Sequence, residues 1–175
     1  MDWETPPEFF DLVNRHYGPF DLDAAALPSN SLCPRYLSPR EDALQSEWGP
    51  VPAGRRGRDT RAARVWCNPP YGDLLGRFVE KAWHEWYHRN CTVTLLIPPR
   101  TDTSWWHRFV LYASDIWFVR GRISFIQDGQ PCTGNTFPSV LVHFGHHVRF
   151  GGGVDVGTWC QTCGRQCHCD KGGLL

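Results

Sequence analysis

The chain has 175 residues, about one domain's worth, and its 41% hydrophobic and 21% charged residues are those of an ordinary globular protein. No apolar run approaches the roughly 20 residues needed to span a bilayer. Met1-Asp2-Trp3-Glu4-Thr5 is too polar for a secretory signal, so a cytoplasmic protein is expected. Lys plus Arg (18) equals Asp plus Glu (18), so global charge does not announce a nucleic-acid partner.

In chain order, residues 3–17 read as a loop and a helix, with Thr5 as N-cap, Pro6 and Pro7 in the first turn, and Phe9, Phe10, Leu12 and Val13 on an apolar side. Gly18-Pro19 ends that helix, and residues 20–26 read as a short strand carrying Asp21 and Asp23. Residues 28–39 are rich in turn formers, with a brief extended piece near 33–37. Residues 49–61 read as a Gly/Pro/Arg loop. Residues 64–67 form a strand that runs into Asn68-Pro69-Pro70-Tyr71-Gly72. Leu75, Phe78, Val79, Ala82, Trp83 and Trp86 recur at helical spacing within 74–88, and residues 92–97 are a buried strand stopped by Pro98-Pro99. Residues 104–112 read as a helix, and 116–119, 123–126 and 139–144 as three more strands. Strands alternating with helices imply a mostly parallel sheet covered on both faces, and the shorter closing connections imply antiparallel edge strands. The expected organisation is one α/β domain over 1–150, including an Arg-rich loop at 53–64, and a Gly/Cys-rich tail over 151–175.

The chemistry sits at Asn68-Pro69-Pro70-Tyr71. Ligands of α/β sheets lie outside the carboxyl ends of strands, where this tetrapeptide falls. Two prolines fix φ and remove two backbone donors, leaving a rigid loop that presents carbonyl oxygens. The Asn68 side-chain oxygen and the Pro69 carbonyl can converge as paired acceptors, with the Tyr71 ring beside them. A planar base bearing an exocyclic amine fits that arrangement. The adenine N6 lone pair is delocalised into the ring, and accepting both N–H groups localises it on nitrogen. Holding that nitrogen about 3–3.5 Å from an activated methyl supplies the proximity contribution. A base drawn out of a duplex and stacked on an aromatic face regains part of its unstacking cost.

These residues, with Trp3-x-Thr5-Pro6, the segment 20–26, Glu41-Asp42-x-Leu44 with Trp48, the segment 95–103 with Trp105-Trp106-His107, and Gly121-Arg122-Ile123-x-Phe125, resemble the phage-type (Dam-like) DNA N6-adenine methyltransferases over residues 3–144. The resemblance implies a class I, Rossmann-like methyltransferase fold. It also implies S-adenosylmethionine as methyl donor and a flipped adenine in double-stranded DNA as acceptor, in a bacterial cell or phage-infected host. Asn68, Pro69, Pro70 and Tyr71 are the implied catalytic residues, and Thr5, Pro6, Asp21, Asp23 and Asp42 the implied cofactor-binding ones. Arg100 and Arg122 are implied at the DNA-facing rim. Arg55, Arg56 and Arg58, in a loop added to the common pattern, read either as a solvated loop or as phosphate contacts. Ala24-Ala25-Ala26 stands where a glycine-rich turn is common in cofactor-binding folds. The chain has little room for a separate recognition domain, so specificity must come from loops, a partner or a dimer, and a restriction-modification setting is one context for it. An RNA or protein-glutamine acceptor, or a decayed non-enzymatic nucleic-acid binder, remain as alternatives.

Cys160-x2-Cys163-x3-Cys167-x-Cys169 has ligands enough for tetrahedral zinc. The cluster is tighter than the usual paired knuckles, and Cys167-His168-Cys169 are consecutive, so a tail without a structural metal is expected.

Overall fold

The computed structural model describes residues 3–49, 51–53, 59–127, 129–132, 137–145 and 155–159. Among them, helix α1 spans Pro7–Tyr17, α2 Leu75–Arg89 and α3 Ser104–Arg108, the last running into a 3-10 turn at Val110–Tyr112. The strands are β1 (Leu22–Asp23), β2 (Arg35–Tyr36), β3 (Val51–Ala53), β4 (Asp59–Arg61), β5 (Arg64–Cys67), β6 (Thr92–Ile97), β7 (Asp115–Val119), β8 (Ile126–Gln127), β9 (Gln130–Pro131), β10 (Val140–Phe144) and β11 (Asp155–Trp159). Seven of them form one sheet in the order β11-β7-β10-β6-β5-β1-β2. All neighbours pair parallel except those of β10, which runs antiparallel to both β6 and β7. No helix among the described residues is long and apolar enough to cross a membrane.

The two-residue periodicity of the central strands explains the layers. Val65 and Cys67 of β5, Val93, Leu95 and Ile97 of β6, and Val140, Val142 and Phe144 of β10 face one core with Leu75, Phe78, Val79 and Ala82 of α2. The alternate residues Trp66, Leu96 and Leu141 face a second core with Phe9, Phe10 and Val13 of α1. Runs with no polar alternation, such as Leu95-Leu96-Ile97 and Val140-Leu141-Val142, mark strands covered on both faces. The mostly parallel α/β sheet expected from sequence is therefore present.

Several local expectations differ. Antiparallel pairing lies inside the sheet, not at its edge, because all five residues of β10 are buried and an edge would wet them. Residues 123–126 do not form a strand of the main sheet. Ile123 and Phe125 are buried by packing, and only Ile126 joins a ladder, the small β8–β9 hairpin. Residues 49–61 contain the β3–β4 hairpin. Residues 155–159, assigned to the tail, supply β11 beside β7, with Trp159 fully buried. Pro6, not Thr5, is the N-cap of α1, and no side chain caps it. Prolines at positions 6 and 7 carry no N–H, so fewer donors are left orphaned there.

Candidate active site

The carboxyl ends of β1 and β5 open into a pocket of about 300 Å³. Its walls include Trp3, Ala24, Ala25, Ala26, Asn30, Leu37, Asp42, Leu44 and the whole run Asn68-Pro69-Pro70-Tyr71. The strand alignments explain the convergence. Asp23 of β1 lies opposite Trp66 of β5 and Tyr36 of β2, so the loops leaving these three strands meet at one edge.

Asn68 follows the last residue of β5. Its Nδ2 donates to the Trp3 carbonyl at 2.7 Å. A carbonyl only accepts, so this bond fixes which end of the carboxamide is the oxygen. Oδ1 is buried and has no hydrogen-bond partner among the described residues. A buried acceptor left unpaired carries a desolvation cost of about 1–3 kcal/mol. Tyr71 is anchored from the far end: its hydroxyl donates to the Leu96 carbonyl at 3.3 Å, and its ring meets Phe125 edge-on, with centroids 6.2 Å apart. Burial pushes its phenol pKa well above the ordinary tyrosine value, so the hydroxyl stays a neutral donor.

Asp42 stands on the opposite wall with a left-handed backbone, φ 49°, and its Oδ1 accepts from Leu44 N–H at 3.1 Å. A non-glycine residue in that region is uncommon and invites a functional reading. Beside it, Ser38 Oγ and N–H both donate to Glu41 Oε2, closing the turn.

Not every anticipated residue reaches the pocket. Asp23 is buried beneath it and accepts from Ala25 N–H and Leu32 N–H, both at 3.3 Å, so it organises the loop that forms the wall. Asp21 lies at the amino end of β1, where its carboxylate accepts from Arg64 N–H at 3.0 Å, away from the carboxyl edge. Thr5 is buried, with Oγ1 unpaired among the described residues. Neither it nor Pro6 lines the pocket. Arg100, after β6, and Arg122, after β7, are exposed on the same carboxyl edge. Arg55, Arg56, Arg58 and the cysteines at 160, 163, 167 and 169 lie outside the described residues. Sequence reasoning missed Trp3 as a wall of the pocket; its place in Trp3-x-Thr5-Pro6 was the available signal.

Burial raises the Asp23 carboxyl to a pKa of about 6, only partly offset by its two N–H bonds. A folded pKa above the unfolded value of 3.8 means that the folded state favours the protonated carboxyl. Its stabilising effect is complete below about pH 4 and is lost as pH rises through 6. Wild type is therefore expected to lose up to about 3 kcal/mol relative to Asp23→Asn between pH 4 and pH 7. Denaturant titrations of both proteins across that range check it, and parallel profiles would count against it.

The chain matches the family described as "DNA N-6-adenine-methyltransferase (Dam)" over residues 2–149. A protein named DNA N-6-adenine-methyltransferase from Escherichia phage T1 is 29% identical over 158 residues, covering 79% of this chain and 60% of that protein. A protein of the same name from Haemophilus phage HP1 (strain HP1c1) is 29% identical over 153 residues, covering 85% of this chain and 81% of the other. The chain thus spans less than two thirds of the first relative's length. The matched segment contains both the pocket and the strands that build it, and on that ground the chain belongs to the DNA N-6-adenine-methyltransferase (Dam) family.

Proposed function

We propose that the protein transfers a methyl group to the N6 amine of an adenine flipped out of double-stranded DNA. The observation that carries this reading is Asn68, which lines the pocket: its Nδ2 is committed to the Trp3 carbonyl, and its buried Oδ1 has no partner among the described residues. Oδ1 and the Pro69 carbonyl accept the two amine protons and localise the nitrogen lone pair. Tyr71, held at its hydroxyl, keeps its ring available as the face on which the base stacks. No strong base is needed, since the amine proton becomes acidic once nitrogen bears the new carbon, and it then leaves to water.

The pocket suits S-adenosylmethionine: it combines an apolar wall of Ala24, Ala25, Ala26, Leu37 and Leu44 with one carboxylate, Asp42. When bound, that cofactor would supply an electrophilic methyl on a sulfonium sulfur; the nitrogen–carbon bond would form as the carbon–sulfur bond breaks, its electron pair leaving with a neutral thioether. Asp42 accepts from the cofactor's adenine amino group, whereas Thr5 and Pro6, which do not line the pocket, are withdrawn from the cofactor-binding set. Asp23 acts by shaping the wall, and Asp21 is withdrawn from the cofactor-binding set. Arg100 and Arg122, with Arg55, Arg56 and Arg58, contact phosphates around the extruded base. Residues 155–159 add β11 to the methyltransferase domain, and the protein works in the cytoplasm, where its DNA substrate lies.

Transfer of labelled methyl from S-adenosylmethionine to unmethylated bacterial DNA, followed by nucleoside analysis, tests the proposal. N6-methyladenine is the expected product. Cofactor binding without incorporation into DNA would overturn it and point to RNA or a protein glutamine as acceptor.

A further inference from the structure

The proposed reaction needs the Asn68 carboxamide in one of its two orientations. A half-turn about its last side-chain bond exchanges oxygen for nitrogen and would present a donor to a donor amine. The Trp3 carbonyl prevents this by accepting from Nδ2 at 2.7 Å. Trp3 lies outside every helix and strand, so something else must hold its carbonyl in place.

Glu4, the next residue, is tied in two directions. Its N–H donates to the Ile126 carbonyl at 3.0 Å, and its carbonyl accepts from Ile126 N–H at 2.9 Å, an antiparallel bridge. Its side-chain Oε1 accepts from Asn30 Nδ2 at 3.2 Å, and Asn30 Oδ1 accepts in turn from Leu27 N–H at 2.7 Å. Leu27 and Asn30 line the pocket on the loop that follows β1. Phe125, beside Ile126, is fully buried, with its ring centroid 5.7 Å from that of Trp3 and 6.2 Å from that of Tyr71. Glu4 therefore joins the N-terminal segment to the loop after β1 and to the loop that packs behind Tyr71.

We propose that Glu4 is a positioning residue for the target base, acting through the Trp3 carbonyl to hold Asn68 Oδ1 toward the acceptor amine; this rests on the methyl transfer proposed above. The main-chain bridge fixes the height of the segment, and the carboxylate–amide bond fixes its lateral position against the pocket wall. An ionised acceptor makes the second link stronger than a neutral one. Without it, Trp3 shifts, the carboxamide samples both orientations, and only a fraction of bound adenine meets two acceptors. The consequence falls on turnover more than on binding, because the apolar wall at Ala24, Ala25, Ala26, Leu37 and Leu44, the Asp42 carboxylate and the Tyr71 face stay in place.

The test compares wild type, Glu4→Ala, Glu4→Gln and Asn30→Ala in two measurements. In 15N-labelled protein, the Asn68 side-chain amide is identified by its absence in Asn68→Ala, and its exchange with water is followed. One of its two protons should be protected in wild type and lose that protection in Glu4→Ala. In methyl transfer, Glu4→Ala should lower kcat about 10-fold with KM for cofactor and DNA changed less than twofold. Glu4→Gln keeps an acceptor for Asn30 and should recover most of that loss. Asn30→Ala removes the same bond from the other side and also the acceptor of Leu27 N–H, so it should lower kcat at least as far as Glu4→Ala, and the double variant should be no worse than Asn30→Ala alone. Wild-type protection and kcat in Glu4→Ala, or a raised KM at unchanged kcat, would overturn the inference. If wild type methylates no DNA, the proposed function fails by itself, and the amide-exchange comparison still decides the role of Glu4.

Discussion

Asn68→Ala should bind S-adenosylmethionine as wild type does and lose about 10²–10³-fold in methyl transfer, equivalent to ~3–4 kcal/mol of transition-state stabilisation. The reasoning is local. Asn68 follows the end of β5; among the described residues its side chain bonds the Trp3 carbonyl through Nδ2 and leaves Oδ1 unpaired. Alanine removes the acceptor without touching Asp42 or the apolar wall. The loss should appear in kcat, because the amine needs its acceptors most when nitrogen attacks. Asn68→Asp separates the two functions of the residue: it keeps an acceptor facing the amine and gives up the donor to Trp3. Its activity should fall between those of wild type and Asn68→Ala. Single-turnover transfer of labelled methyl, paired with calorimetric titration of cofactor, measures both quantities. Full activity in Asn68→Ala would remove the mechanism.

The second large effect concerns stability. Glu85→Ala is expected to cost about 3–5 kcal/mol, the range for breaking a buried charged pair from one side. Glu85 is fully buried on the inner face of α2. Its Oε2 accepts from Trp48 N–H at 3.2 Å, and its Oε1 lies 2.6 Å from Lys81 Nζ. Arg89 approaches the same oxygen at 3.8 Å and binds Glu47 at 2.6 Å. Removing the carboxylate strands a buried N–H and a half-buried ammonium together. Trp48 is itself fully buried and donates its indole N–H to the Ala43 carbonyl at 2.9 Å, next to Asp42. The segment 42–48 therefore hangs on Glu85, and cofactor affinity should weaken along with stability. Glu85→Gln keeps an acceptor for Trp48 and should cost less. Denaturant unfolding of the three proteins, with cofactor titrations, checks the order. Wild-type stability in Glu85→Ala would show that the carboxylate is dispensable.

Local chemistry was sufficient to read much of this protein from its sequence. Strands at 64–67 and 92–97 are rich in apolar and β-forming residues and stop at Asn68-Pro69 and Pro98-Pro99, and they coincide with β5 and β6 residue for residue. The period of 3.6 placed α2 within a residue at each end. Asn68-Pro69-Pro70-Tyr71 carries its own backbone restrictions, so its rigid exit from a strand was legible without a fold.

What depends on distant residues was not legible. Glu85 is four residues from Lys81 on a helix, a spacing that on sequence alone describes an exposed pair; only the packing of Trp48 against it reveals a buried charge. Asp21 and Asp23 look equivalent in sequence. A strand's two ends face opposite edges of the sheet, so one meets Arg64 and the other holds the pocket loop. The interior place of β10 and the addition of β11 are choices among strand partners, which an apolar pattern does not encode. The Trp3 carbonyl, 65 positions from Asn68, is the clearest case. The sequence by itself determined that a carboxamide stands at the end of a buried strand, and the tertiary structure decided which of its atoms is tied to Trp3, because a hydrogen bond depends on distance in space and not along the chain.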